Sequence, residues 1–269
     1  MVPEQGRPRA FLNQIEAMDA PHGRPTVVQR ALGLFRRWSP RAAERALGTI
    51  IRVSTADPVV ALTFDDGPHP ASTPPLLEIL KARRARATFF MLGQAAARYP
   101  ALVRQVADAG HAIGNHSWDH PSFPEVSHQE RRRQIDACRR AIAPYGERLF
   151  RPPYGDQDDL SRLDTLWMRH QVVAWDVDAG DWRGDAPAVV AYRVVARVRA
   201  GSIVLLHDGS EAALRGAPVD KAPMLRALEL VLNRLREQFT YVTVPELLRR
   251  GRPQRVFWLQ RNRSPFGGA

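Results

Sequence analysis

The run ALTFDDGP at residues 61–68 sets two carboxylates side by side, Asp65 and Asp66, where an apolar stretch ends in a Gly-Pro turn. A turn uses at most one aspartate to bond its own backbone, and a second adds repulsion, so the pair asks for another partner. Further along, HSWDH sets His116 and His120 four residues apart, and RPPYG carries Arg151 and Tyr154. DVDAGDW follows with Asp178, Asp181 and Trp182, and LLHDG with His207.

Two imidazoles at that spacing can share one face of a helical turn and serve as a pair of metal ligands. With one carboxylate from the aspartate pair they make the three-protein-ligand set of a catalytic zinc-type site, open to water and substrate. Such a metal polarises a carbonyl and lowers the pKa of bound water toward ~7. The second aspartate then stands ready as general base, and the residue types alone do not say which of the two takes which part. Arg151 is the candidate to hold that base. If the bond broken is an amide, the amine must be protonated as it leaves. His207 is the candidate acid, with Asp181 or Asp178 to raise its pKa and fix its tautomer.

Behind these clusters lie the elements that must position them. Apolar, β-branched or aromatic runs predict strands at 59–64, 87–92, 111–115, 148–151, 171–177, 202–207 and 240–244, with helical patterns between them. About seven such units predict an α/β fold, a closed or nearly closed parallel barrel with its chemistry at the C-terminal strand ends. Five of the seven predicted ends carry one of the clusters above, a recurrence that scattered surface charges would not produce. This barrel domain spans residues 58–250. Residues 1–57 form an N-terminal extension in which two short helices, broken at Ser39-Pro40, are expected to pack on the barrel. Residues 251–269 read as a tail.

The chain of 269 residues is 44% hydrophobic and 25% charged, which excludes a disordered, collagenous or disulfide-scaffold class. Its one cysteine, Cys138, forms no intramolecular disulfide and fits a reducing compartment. The balance of 39 Lys+Arg against 28 Asp+Glu gives +11. The arginines are scattered over helical stretches without a nucleic-acid-binding signature, so no nucleic-acid partner is expected. Weak peripheral contact of the basic N-terminal helices with an anionic membrane is the alternative to packing. No apolar stretch nears the ~20 residues of a membrane span, and the first residues lack a signal-peptide core. The expected location is the cytoplasm, with a membrane-peripheral variant.

In their order, TFDDGP, HSWDH, RPPYG, DVDAGDW and LLHDG resemble the five motifs of the polysaccharide deacetylase family, the NodB homology domain of carbohydrate esterase family 4. The resemblance covers about residues 58–250 and implies a distorted (β/α)7-8 barrel. It further implies a metal-dependent hydrolase that removes an N-acetyl group from an amino sugar. By position it makes Asp65 the base, Asp66, His116 and His120 the metal ligands, and Arg151 the residue orienting the base. Asp181 tunes the acid, His207. The backbone N–H of Tyr154 helps form the oxyanion hole, Trp182 lines the sugar pocket and Leu205 the acetyl pocket. The metal is usually zinc, with cobalt or another divalent ion in some members. Ala112 departs from the pattern, standing where a glutamate is frequent. The expected substrate is made inside the cell: a chitooligosaccharide precursor, a lipid-linked amino sugar or a small N-acylated metabolite. A deformylase or deacylase of a lipid-linked or natural-product amide is the alternative enzyme, and an inactive sugar-binding module the alternative from another class.

Overall fold

The computed structural model describes residues 27–257, so the readings of residues 1–26 and 258–269 lie outside the described residues. Ten strands follow in chain order: β1 (Thr49–Ser54), β2 (Val59–Asp65), β3 (Ala87–Met91), β4 (Ala112–Asn115) and β5 (Gly146–Phe150). The rest are β6 (Gln171–Val172), β7 (Val177–Asp178), β8 (Ile203–His207), β9 (Thr240–Tyr241) and β10 (Arg252–Val256). The main sheet has the order β6-β5-β4-β3-β2-β8-β7, with β9 also pairing β2, and its pairings are parallel. Helices wrap its outer face, and the result is the distorted (β/α) barrel expected from the sequence.

The run QVVAWDV, read as one strand, is divided between two. β6 and β7 lie at opposite edges of the sheet, yet only residues 173–176 separate them. A chain that short spans at most about 17 Å, so the sheet must curl until its edges nearly meet. The break is held at Asp176, whose carboxylate accepts the Ile203 N–H at 2.9 Å and so commits the chain to the β8 side. The remaining gap is filled by β1. Ile50 is fully buried and its carbonyl accepts Ala174 N–H at 2.7 Å, while Val53 N–H donates to Gly201 at 2.9 Å.

The helical pattern that began after Ser39 therefore stops at Leu47. Gly48 ends it, and the β-branched Thr49, Ile50, Ile51 and Val53 take an extended path. β1 pairs antiparallel with β10, which joins the N-terminal extension to the start of the segment read as a tail. The helix Val27–Trp38 is tied down by Arg36, whose guanidinium makes two 2.7 Å bonds to Asp159. Its other face presents Val27, Leu34 and Trp38 with large exposure among the described residues, beside exposed Arg30 and Arg37. No described helix is long and apolar enough to cross a membrane.

The period of two along each strand sorts the side chains. In β2, Val60, Leu62 and Phe64 join the outer core under the helices, while Val59 and Ala61 join the inner core. Thr63 and Asp65 continue that inner row to the strand end. In β8, Val204 and Leu206 face outward, and Ile203, Leu205 and His207 inward. Leu149 turns inward, Phe150 outward, and Arg151 inward again. Strand parity alone thus aims Asp65, Arg151 and His207 at one interior space.

Candidate active site

The interior space opens at the C-terminal strand ends as a cavity of about 460 Å³ whose lining includes Asp65, Asp66, His116, His120, Tyr154, Asp178, Trp182, Leu205 and His207. Asp65 ends β2 and is almost fully buried. Its Oδ1 accepts Arg151 Nη1–H at 2.7 Å. Arg151 has no exposed surface and its other donors are also used: Nη1 to Thr63 Oγ1, Nε to the Val173 carbonyl and Nη2 to the Ala174 carbonyl. The guanidinium lies 4.1 Å from the centre of the Phe90 ring. That ring needs room, and Gly114 supplies it, since a Cβ there would come within 2.6 Å of the ring. Glycine at 114 thus allows Phe90 to lie flat, and Phe90 with the two carbonyls fixes the arginine that holds Asp65.

Asp66 leaves the strand with φ 71°, and its carboxylate meets the same His116 Nε2 that Asp65 Oδ2 approaches at 3.8 Å. Its Oδ1 lies 3.4 Å from both His116 Nε2 and His120 Nε2. Among the described residues this buried oxygen has no hydrogen-bond partner. Burial would push the Asp66 carboxyl up, but His120, His116 and His207 hold it well below the usual carboxylate range.

The two histidines do not share a helical turn, as their spacing suggested. They sit on the loop after β4, where Ser117 and His120 both have positive φ, 69° and 70°. The loop is shaped by side chains: Asn115 Oδ1 accepts Ser117 N–H, and Gln134 Oε1 accepts the N–H groups of Trp118 and Asp119. Its polar bonds bring the imidazoles to 4.9 Å between ring centres. His116 Nδ1 lies 2.7 Å from the Arg151 carbonyl, which can only accept, so Nδ1 carries the proton and Nε2 offers a lone pair.

His207 ends β8 beside Asp65, its register partner on the adjacent strand β2. Asp181 grips it twice, Oδ1 at 2.9 Å from Nδ1 and Oδ2 at 3.0 Å from the backbone N–H. Burial alone would lower the imidazole, but the Asp181 carboxylate, helped by Asp66 and Asp65, lifts it to about 9. Of the two aspartates offered by DVDAGDW, Asp181 is therefore the one that meets His207. Asp178 bonds the Gly180 N–H instead and lines the cavity wall. Trp182 is 60% exposed at the rim, and Tyr154 stands 4.4 Å from the His120 ring centre with its own positive φ of 58°. Leu205 is buried on the cavity floor.

Two residues escaped the sequence reading. Glu211 accepts a 2.8 Å bond from His120 Nδ1 and also takes the Tyr154 hydroxyl, so it joins loops from three strand ends. Burial raises the neighbouring Asp208 carboxyl to about 7, against the Thr73 hydroxyl that donates to it. Asp208 N–H bonds the Asp65 carbonyl, and its carboxylate packs so close to Gly67 that a Cβ there would lie 2.4 Å away. It braces the backbone that carries the aspartate pair. The aspartate of LLHDG was itself the one available signal for Asp208, and Glu211 had none.

Asp66, His116 and His120 are the one group of three described ligand-type residues whose donor atoms all fall within 4.8 Å of one another. The orphaned Asp66 oxygen and two imidazole lone pairs fit a divalent ion, the donor set having the composition of a three-ligand catalytic centre. Beside this set stand Asp65 with its arginine and His207 with its aspartate, at the ends of adjacent strands.

A family profile described as Polysaccharide deacetylase matches residues 52–172. The chain is 38% identical over 198 residues to a chitooligosaccharide deacetylase of Azorhizobium caulinodans, covering 70% of this chain and 93% of that protein. It is 35% identical over 195 residues to a peptidoglycan-N-acetylglucosamine deacetylase of Bacillus cereus, covering 70% of this chain and 67% of that one. Among solved structures, the Bc1960 peptidoglycan N-acetylglucosamine deacetylase superposes with TM-score 0.71 at 28% identity, covering 81% of this chain and 100% of that chain. A CE4 family pseudoenzyme from Bacillus anthracis superposes with TM-score 0.67 at 28% identity, over 78% of this chain and 72% of its own. The fold is thus carried by an enzyme and by a pseudoenzyme alike, and the site residues must decide between them.

Proposed function

Because the chain belongs to the polysaccharide deacetylase family, we propose that it hydrolyses the N-acetyl group of an amino sugar, with Asp66, His116 and His120 holding a divalent ion. The observation that carries this reading is the presence of two separately held proton-transfer groups, at the ends of adjacent strands, beside one ligand set. Asp65 is held by Arg151, and His207 is held by Asp181. The ion, zinc in this reading, supplies polarisation of the amide carbonyl and a more acidic attacking water.

The remaining work falls to the chain's own side chains. Arg151 occupies Oδ1 of Asp65, so Oδ2, which faces His116 Nε2 at 3.8 Å, is left to take the proton of the attacking water. The amine produced by amide cleavage leaves only when protonated. His207 Nδ1 is engaged by Asp181, so the proton is delivered from Nε2, and a value lifted to about 9 keeps it available at neutral pH. The Tyr154 N–H is assigned to the developing oxyanion. The Trp182 ring is assigned to a sugar face and Leu205 to the acetyl methyl. An inactive binding module would have no use for a histidine kept protonated opposite a carboxylate.

The experiment is acetate release from a panel of N-acetylglucosamine oligomers, with metal content measured on the same protein. Asp65→Asn is expected to keep the metal and lose about 10²–10⁴-fold in kcat. Asp66→Ala is expected to lose the metal itself. Full acetate release by a metal-stripped Asp66→Ala protein would sink the reading.

A second reading concerns where the substrate is met. The exposed Val27, Leu34 and Trp38 beside Arg30 and Arg37 favour an anionic membrane surface, and hence a lipid-linked amino sugar. The reaction is then cytoplasmic and membrane-peripheral. Sedimentation with vesicles containing phosphatidylglycerol should carry the protein down, and Trp38→Glu should release it. Equal binding to neutral vesicles, or none to either, removes this version.

A further inference from the structure

We propose that Glu211 is a positioning residue that sets the tautomer of His120 and thereby the metal affinity of the site; this rests on the reading of Asp66, His116 and His120 as ligands. Glu211 opens the short helix Glu211–Leu214, whose N-cap is Ser210. A carboxylate at such a position has an ordinary use, favouring the helix start and pairing with a residue four further on. Oε1 does this, accepting from Arg215 at 3.1 Å. Oε2 is not needed for it. It is turned the other way, into the cavity, where it takes His120 Nδ1 at 2.8 Å and the Tyr154 hydroxyl.

The geometry then dictates the imidazole. A carboxylate oxygen accepts and does not donate, so His120 Nδ1 carries the proton and Nε2 presents its lone pair toward Asp66 Oδ1 and His116. His116 is fixed the same way by the Arg151 carbonyl. One ligand is therefore held by a neutral backbone acceptor deep in the fold and the other by a charged side chain at the rim. An anionic acceptor raises the basicity of its imidazole as well as orienting it, and loss of such partners typically weakens metal binding about 10–100-fold. Tyr154 shares the same oxygen and stands against the His120 ring, so Glu211 also holds the residue whose N–H is assigned to the oxyanion.

The test compares full-length wild type, Glu211→Ala, Glu211→Gln and Tyr154→Phe. Zinc affinity is read by competition with a chromogenic chelator, and His120 tautomer by nitrogen-15 NMR of the metal-free protein. Glu211→Ala is expected to bind zinc about 10–100-fold more weakly and to give a mixed His120 tautomer. Glu211→Gln retains an acceptor oxygen without the charge, so the tautomer should return while affinity recovers only in part. Tyr154→Phe should match wild type in both readouts. A Glu211→Ala protein with wild-type affinity and an unchanged tautomer overturns the proposal. So does a Tyr154→Phe protein that reproduces the loss, because the effect would then run through the phenol. Should wild type bind no zinc at all, the metal reading fails, and the tautomer measurement still decides for or against Glu211.

Discussion

Replacing Asp181 by asparagine removes one negative charge behind His207 while leaving an oxygen that can accept the Nδ1 proton. In the wild-type site the imidazole is raised from 6.5 to about 9, burial being outweighed by Asp181 and by the more distant Asp66 and Asp65. The sign follows from the order of these values. A histidine lifted above its ordinary pKa holds its proton throughout the acid and neutral range and loses it only as pH rises through about 9. Catalysis that needs the protonated acid should therefore fall on an alkaline limb near that value. In the variant, burial acts with less opposition and the limb should move to about 6.5 or below.

The loss then depends on pH in a way that can be worked out. With apparent values of about 9 and about 6.5, the protonated fraction at pH 8 falls roughly 30-fold, while at pH 6 it changes by less than about twofold. A bound divalent ion opposes the lift due to Asp65 and Asp66 but reaches Asp181 only across the imidazole. Comparing the two proteins at equal metal loading therefore isolates the Asp181 share. The assay is kcat/KM for acetate release from pH 5.5 to 10. A variant whose profile is lowered by one constant factor, with its alkaline limb unmoved, would refute the assignment of His207 as the acid tuned by Asp181.

Arg151→Met should destabilise the fold by about 3–5 kcal/mol in urea unfolding, because it leaves the Asp65 carboxylate buried without its cation. A change below about 1 kcal/mol would mean that water replaces the guanidinium. Gly209→Ala should cost about 1–3 kcal/mol of stability, since the added Cβ would come within 2.1 Å of the Asp66 carbonyl. It should also weaken zinc binding by displacing Asp66, and a variant with unchanged affinity would show that the loop relaxes elsewhere.

Much of this site was legible because strand parity is a local rule. Thr63 and Asp65, Leu149 and Arg151, and Leu205 and His207 alternate with outward apolar neighbours, so the sequence itself aims the three polar ends inward. The histidine loop was less legible. Its spacing suited a helical turn, but the loop is set by Asn115 and by Gln134 from a helix well downstream, a long-range contact that local pattern cannot contain. The division of QVVAWDV has the same origin. An apolar run reads as one strand, whereas sheet closure requires it to leave one edge and join the other. β10 was missed because Arg252, Pro253, Gln254 and Arg255 lack strand character, and only pairing with β1 makes them one. Glu211 looks from sequence like any helix-opening acid, and its role depends on which way one oxygen points.

The charges gathered at the cavity argue for the ion independently of the histidine spacing. The cavity gathers the carboxylates of Asp65, Asp66, Asp178, Asp181 and Glu211 with the cations Arg151, protonated His207 and Lys221, and Arg215 pairs with Glu211. A buried carboxylate left without a cation is costly, because like charges repel strongly where water cannot screen them. Arg151 is committed to Asp65, His207 to Asp181 and Arg215 to Glu211, which leaves Asp66, the neighbour of Glu211 across His120, without a cation. These two carboxylates flank His120, one at Nε2 and one at Nδ1. A divalent ion bound at Asp66 would supply the missing cation, beside the imidazole that Glu211 polarises. The adjacency of Asp65 and Asp66 then has a physical reason: two neighbouring carboxylates are tolerable when an arginine takes one and a metal takes the other.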